Sequence, residues 1–218
     1  MDFRDDPKPG YPPGAVNGPA YHFKSDYVIT QCYSNSRDFV RSYASEIHNG
    51  NIVEIGVFGG ATLLDLYEIC KTNNNKIYGI DPFEKITIFN GRTSEETDVN
   101  IQNEAREAYK TNRERLLSII SKYNLDDIIT VIDEPSGSAV SEFKDDSIDL
   151  LHIDGDHSTQ GVYNDLVNYW PKMRKGTGVI LGDDFGWKSV KDAVDKFCQE
   201  YKVTYTVGCS YYKYVINT

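Results

Sequence analysis

The stretch VEIGVFGGA, residues 53–61, is an apolar strand that runs into a glycine-rich turn and out into a helix. Glycines let the backbone approach a ligand closely, and a helix start offers unpaired N–H groups. The spacing is Glu54, Gly56, Gly59, Gly60, which is not the GxGxxG of dinucleotide sites. Glu54 lies inside the strand end, where it would repel a pyrophosphate and attract an ammonium group. The competing reading is tight packing of helix on strand.

Outward from that turn, strands and helices alternate. A helix begins at Ser34 and ends at His48-Asn49-Gly50, ahead of a strand over 51–57. A helix over 59–71 leads to a strand, KIYGID, at 76–81, closing on Asp81, which could take two ribose hydroxyls. Residues 82–98 lack periodicity and read as loop. A long charged helix, 99–123, precedes IITVID at 128–133. A short helix near 138–144 leads to a strand at 147–153. A helix over 159–174, a strand GVILGD and an amphipathic helix at 187–201 complete the repeat. The tail alternates with period two on both sides of Gly208-Cys209-Ser210, as a hairpin does. Continuous apolar strands separated by helices imply a parallel α/β sheet covered on both faces, with an antiparallel pair at one edge.

Two of those strands end in acids. LHIDGDHS, 151–158, delivers Asp154, Asp156 and His157; GVILGDD, 178–184, delivers Asp183 and Asp184. Any one aspartate there could be a cap or turn residue.

The bulk numbers bound the rest. With 218 residues the chain fits one domain, 34–218, behind an arm or lid at 1–33 whose segment 7–19 holds five of the eight prolines. A formal charge of 23 − 33 = −10 argues against nucleic acid as partner. No apolar run is long enough for a membrane span, and the N-terminus lacks a signal core, so a cytoplasmic location is expected. Cys32, Cys70, Cys198 and Cys209 are scattered and read as reduced thiols.

VEIGVFGG and YGIDPF resemble the first and second motifs of the class I S-adenosylmethionine-dependent methyltransferases, over residues 34–218. The resemblance implies a Rossmann-like seven-stranded sheet, mostly parallel, in the order 3-2-1-4-5-7-6 with strand seven antiparallel. It implies that Glu54, Gly56 and Gly59 flank the methionine part of the cofactor and that Asp81 holds its ribose. Ser136, Gly137 and Ser138 fall near its adenine, and Asp154 borders the same pocket.

In that order the fourth and fifth strands are neighbours, so Asp154, Asp183 and Asp184 converge. Clustered carboxylates repel unless a cation sits among them, and hard oxygen donors suit Mg²⁺, with Mn²⁺ or Ca²⁺ as substitutes. IDGDHS with GDDFG resembles the metal-dependent O-methyltransferases, in particular the group acting on sugar hydroxyls, and also the cephalosporin-hydroxylase-type proteins. Catechol-type relatives have a lysine where this chain has His157, and Asp-Asn where it has Asp183-Asp184. The expected activity is methylation of a sugar hydroxyl on a small molecule or glycan, with His157 or Asp156 as the base. The alternatives are a phenolic hydroxyl, or cofactor binding without turnover. The HxD of His152-Ile153-Asp154 lacks the distal histidine of an iron triad, and His152 reads as a packed core residue. His22 and His48 read as exposed. Tyr11, Tyr21, Phe23, Phe83 and Phe89 are candidate walls for the acceptor, and Trp187 either joins them or packs the last helix. The arm is compatible with a homo-oligomer in which neighbouring sites are closed.

Overall fold

The computed structural model describes residues 34–89, 92–93, 98–208 and 213–218. The N-terminal arm, with His22 and the aromatics at 11, 21 and 23, lies outside the described residues. Helix α1 (Ser34–Ala44) precedes β1 (Asn51–Ile55), α2 (Ala61–Thr72) and β2 (Lys76–Ile80). A 3-10 turn at Phe83–Lys85 and a two-residue ladder, β3 (Ile88–Phe89) with β4 (Arg92–Thr93), occupy part of the expected loop. Then come α3 (Val99–Tyr123), β5 (Ile129–Ile132), α4 (Ser136–Ala139), β6 (Leu150–Ile153), α5 (Thr159–Tyr169), β7 (Val179–Gly182), α6 (Lys188–Tyr201), β8 (Tyr205–Gly208) and β9 (Lys213–Asn217). The expected helix at 138–144 is instead α4 followed by a 3-10 turn, Val140–Glu142.

The main sheet has seven strands in the order β5-β2-β1-β6-β7-β9-β8. Counted among those seven, the order is 3-2-1-4-5-7-6, as expected. All pairs are parallel except β9, which runs antiparallel to β7 and β8.

Strand side chains alternate between faces, and two cores follow from that parity. On one face Ile52, Ile77, Ile129, Leu150, Leu181 and Val215 pack with Val40, Leu63, Leu66 and Leu116 of α1, α2 and α3. On the other, Val53, Ile55, Leu151, Ile153, Ile180, Tyr214 and Ile216 pack with Val162, Leu166, Val194 and Phe197 of α5 and α6. In α6 the buried Val190, Ala193, Val194 and Phe197 fall at i, i+3, i+4 and i+7, which puts one stripe against the sheet.

Local chemistry sets the element ends. Gly60, left-handed at φ 77°, caps α2. Asp98 caps α3 by accepting from Asn100 N, and Ser158 caps α5 by accepting from Gly161 N. No described helix is long and apolar enough to cross a membrane.

Candidate functional site

The turn after β1 is built around a single missing side chain. Gly56 has φ 90°, and a Cβ there would lie 2.0 Å from the backbone oxygen of Asp154. The turn therefore lies directly against the end of β6, with Asp154 N donating to Ile55 O at 2.8 Å. Asp81 fixes the same turn from the end of β2. Its Oδ2 accepts from Val57 N at 2.9 Å and Phe58 N at 2.8 Å, and its Oδ1 accepts from Phe83 N at 2.6 Å. Phe58 and Phe83 both hold positive φ, 49° and 46°, so the carboxylate clamps two strained residues. A carboxylate offers about four acceptor sites. Three of Asp81's are used by backbone N–H groups. Phe83 is fully buried and does not line an open acceptor pocket, contrary to expectation.

Glu54 is 3% exposed. Burial raises its pKa, against the pull of His152. His152, across the ladder on β6, pairs through Nδ1 with Glu54 Oε1 at 3.0 Å. Glu54 Oε2 and His152 Nε2 are buried with no hydrogen-bond partner among the described residues. His152 is thus buried as expected, but as the partner of an acid rather than as apolar filler. An unfilled acceptor on Glu54 beside a glycine turn fits a ligand ammonium.

The ladder runs one residue past β6 and β7, because Asp154 N bonds Ile55 O and Asp183 N bonds Ile153 O. Parity therefore places Glu54, His152, Asp154 and Asp183 on the same sheet face, the one covered by α1 to α3. Asp184 adopts φ 53°, and this left-handed residue breaks the alternation. The result is two groups of potential ligands that share Asp154. One ligand atom each of Asp154, His157 and Asp184 lie within 4.8 Å of one another, as do those of His152, Asp154 and Asp183. His157 Nε2 is 3.3 Å from Asp154 Oδ1 and 3.2 Å from Asp184 Oδ2.

The electrostatics follow from crowding. Burial and the charges of Asp183 and Asp154 push Asp184 up to about 6. Burial works against protonation of His157, but the hydrogen bond and charge of Asp154, with Asp184 and Asp183 behind it, hold its pKa above the ordinary value. Burial would also raise Asp183, yet the ammonium of Lys213 holds it below the usual carboxylate range. Lys213, on β9, is 1% exposed and ion-paired with Asp183 Oδ2.

Asp156 does not join the cluster. Its Oδ1 accepts from Ser158 N at 2.9 Å and its Oδ2 from Ser158 Oγ at 2.8 Å, which turns it to the start of α5. Gly161 makes room for it there, since a Cβ would lie 2.3 Å from Asp156 Oδ2. Ser136 is half-buried, with Oγ donating to Asp165 Oδ1 at 2.5 Å, whereas Ser138 and Gly137 are exposed. Trp187 is 47% exposed and its ring lies 5.2 Å from that of His157, so it borders the cluster instead of packing α6. Gly59 lies in the turn between Phe58 and Gly60, half-buried.

Two residues of this site escaped the sequence reading. Lys213 is one; only the β7–β9 pairing brings it to Asp183. Tyr109 is the other. It stacks edge-on against Phe58 at 5.1 Å, and burial with the charges of Asp81 and Asp154 pushes its phenol up to about 12. Its only signal was a place on one face of α3.

The donor set suits a hard divalent cation. Two overlapping groups share Asp154, each with a second carboxylate and a histidine, and burial with the charges of Asp183 and Asp154 raises Asp184.

Among solved structures, the O-methyltransferase NovP superposes with a TM-score of 0.68 at 18% identity, over 88% of this chain and 82% of its own. A protein from Staphylococcus aureus, provisionally assigned as a caffeoyl-CoA O-methyltransferase, gives 0.61 at 13% identity over 93% of both chains. CalS11, a TDP-rhamnose 3'-O-methyltransferase of calicheamicin biosynthesis, gives 0.51 at 14% identity over 84% of this chain and 76% of its own. At such identities these likenesses speak to the fold. No curated protein sequence matches significantly. The family model described as a methyltransferase domain matches residues 53–185, more than half of the chain. That span runs from the strand before the glycine turn through both acidic strand ends, and this protein accordingly belongs to the methyltransferase-domain family.

Proposed function

We propose that the protein is an S-adenosylmethionine-dependent O-methyltransferase assisted by a divalent metal ion, and that its acceptor is a sugar hydroxyl. One observation carries the reading. Asp154 shares one group of potential ligands with Asp183 and another with Asp184, at the C-terminal ends of two adjacent strands, beside a glycine turn whose Glu54 has an unfilled buried acceptor. Ligands of open α/β sheets bind at that end of the strands.

The cofactor supplies an electrophilic sulfonium methyl group. Glu54 Oε2 would receive its ammonium, with Gly56 and Gly59 leaving the backbone bare beside it. Asp81 holds the turn rigid and keeps one acceptor site for a ribose hydroxyl. Ser136 and Ser138 remain candidates for the adenine end. Asp154, Asp183 and Asp184 would hold Mg²⁺, or Mn²⁺ or Ca²⁺, which would lower the pKa of a bound hydroxyl. A sugar hydroxyl is a very weak acid, so a site with a cation and a base suits it. His157 touches both Asp154 and Asp184 and is the better placed base. Asp156 could serve only after leaving Ser158. In the transfer, the hydroxyl oxygen forms a bond to the methyl carbon, the carbon–sulfur bond breaks, and the hydroxyl proton passes to the base.

The sugar assignment draws on His157 and Asp183-Asp184 standing where catechol-type relatives have Lys and Asp-Asn, and on the likeness to CalS11. The test is transfer of a labelled methyl group to a panel of nucleotide sugars, rhamnosides and catechols, with Mg²⁺, with chelator and with Asp154→Ala. The expected outcome is sugar labelling that falls at least about a hundredfold with chelator or in the variant. Labelling of catechols alone would replace the sugar reading with the phenolic one. Labelling indifferent to chelator would remove the metal.

A further inference from the structure

Lys213 is a buried lysine that the methyl-transfer reading leaves without a task. It begins β9, opposite Gly208 of β8 and next to the Tyr214 that pairs with Gly182 of β7. Tyr214 and Ile216 face the α5–α6 core and Val215 the opposite one, so parity sends Lys213 to the face that carries the acids. Its side chain is 1% exposed, and its ammonium pairs with Asp183 and has no other partner among the described residues. An ammonium taken out of water needs a carboxylate beside it, and breaking such a pair is far more costly than removing both members.

The three carboxylates are therefore unequal. Asp183 spends Oδ2 on Lys213 and Oδ1 on the backbone N–H of Asp184, at 2.8 Å. Asp154 and Asp184 meet each other across His157, and their side chains are 35% and 29% exposed against 20% for Asp183. A cation arriving from solvent meets Asp154 and Asp184 first, and feels the fixed positive charge of Lys213 behind Asp183.

We propose that Lys213 is a positioning residue that neutralises Asp183 and withdraws it from the ion-binding set, leaving Asp154 and Asp184 as the carboxylates that hold the divalent ion and limiting how tightly they do so. The inference rests on the metal reading above and narrows it.

The test is calorimetric titration of the full chain with Mn²⁺, comparing wild type, Lys213→Met and the double variant Lys213→Met with Asp183→Asn. Lys213→Met removes the competing cation, so Mn²⁺ affinity should rise roughly tenfold or more. The double variant removes the pair as a neutral unit, and its affinity should stay within about threefold of wild type. A merely structural lysine would not tighten binding when removed. Unchanged or weaker binding in Lys213→Met overturns the proposal. So does a double variant whose binding weakens beyond that range, because Asp183 would then be a ligand. Should Lys213→Met fail to fold, the double variant, which buries no unpaired charge, decides alone. If wild type shows no saturable Mn²⁺ binding, both this proposal and the metal reading fall. If wild type binds and the variants behave otherwise than stated, only this proposal falls.

Discussion

Asp165 sits on α5, 4% exposed, with Oδ1 accepting from Ser136 Oγ and Tyr169 Oη donating to Ser136 O beside it. Burial pushes its carboxyl up to about 7, with Asp156 adding to the rise and Ser136 opposing it. The folded state thus keeps a proton that the unfolded chain releases near pH 4. It binds more protons than the unfolded chain between about pH 4 and 7, so stability must fall as pH rises through that window and level off above it. Asp165→Asn keeps an acceptor for Ser136 and removes the titration. Thermal midpoints from pH 5 to 8 should show a decline in wild type and a shallower one in the variant, where Asp184 and His157 still titrate. At pH 8 the variant should be the more stable, by up to about 4 kcal/mol. A wild-type midpoint that rises across this range would contradict the assignment. Single residues divide sharply in how far the sequence discloses them. Asp154, Asp183 and Asp184 were legible because each ends an apolar run. Asp165 was not, because a polar residue on an amphipathic helix gives no sign of which way it faces. Lys213 was not, because nothing local ties a lysine in a hairpin to an aspartate thirty residues earlier.

At the scale of elements, the contact between the β1 turn and the end of β6 is the joint on which the site depends. Gly56 combines a positive φ with a Cβ position occupied by a backbone oxygen, and neither constraint can relax without moving Asp154. Gly56→Ala should cost on the order of 3–5 kcal/mol, read as a shifted denaturation midpoint. It should also weaken binding of S-adenosylhomocysteine by calorimetry, even under conditions where the variant is fully folded. A variant with full stability and binding would mean the turn is slack. The elements themselves were legible, since apolar runs and the 3.6-residue period mark β1, β2, β7, α3 and α6 within a residue or two, while β6 begins three residues later than expected. The 3-10 turn at Phe83–Lys85 was not, because Asp81 imposes it through a side-chain bond rather than through local pattern. The same applies to Asp156: nothing in the local pattern ties it to Ser158, which holds it, or to Gly161, which makes room for it.

For the molecule as a whole, charge sets the expected response to ions. A formal charge of −10 surrounds a site where acids already crowd, and one carboxyl, Asp184, is raised by burial together with the charges of Asp183 and Asp154. A divalent cation that binds only the folded state should stabilise it by about 2.7 kcal/mol at a hundredfold excess over its dissociation constant. For a chain of this length that corresponds to a midpoint raised by roughly 5–10 °C, reversible with chelator. Equal ionic strength from NaCl should produce much less; an identical shift would reduce the effect to screening. The global topology was legible from strand–helix alternation with a closing hairpin, and the sheet has the strand order that the resemblance implied.

The shared parity of Glu54, His152, Asp183 and Lys213 bears on how such a chain can change over generations. Each residue reaches the site because it is an even number of steps from an apolar neighbour on the same face. Substitutions along β1, β6, β7 or β9 alter one side chain at a time and leave the rest aimed as before. Insertion or deletion of a single codon in any of them reverses every side chain beyond it, sending acids into the α5–α6 core and leucines into the site. Length variation should therefore gather in the connections, while these four strands drift in composition and keep their count.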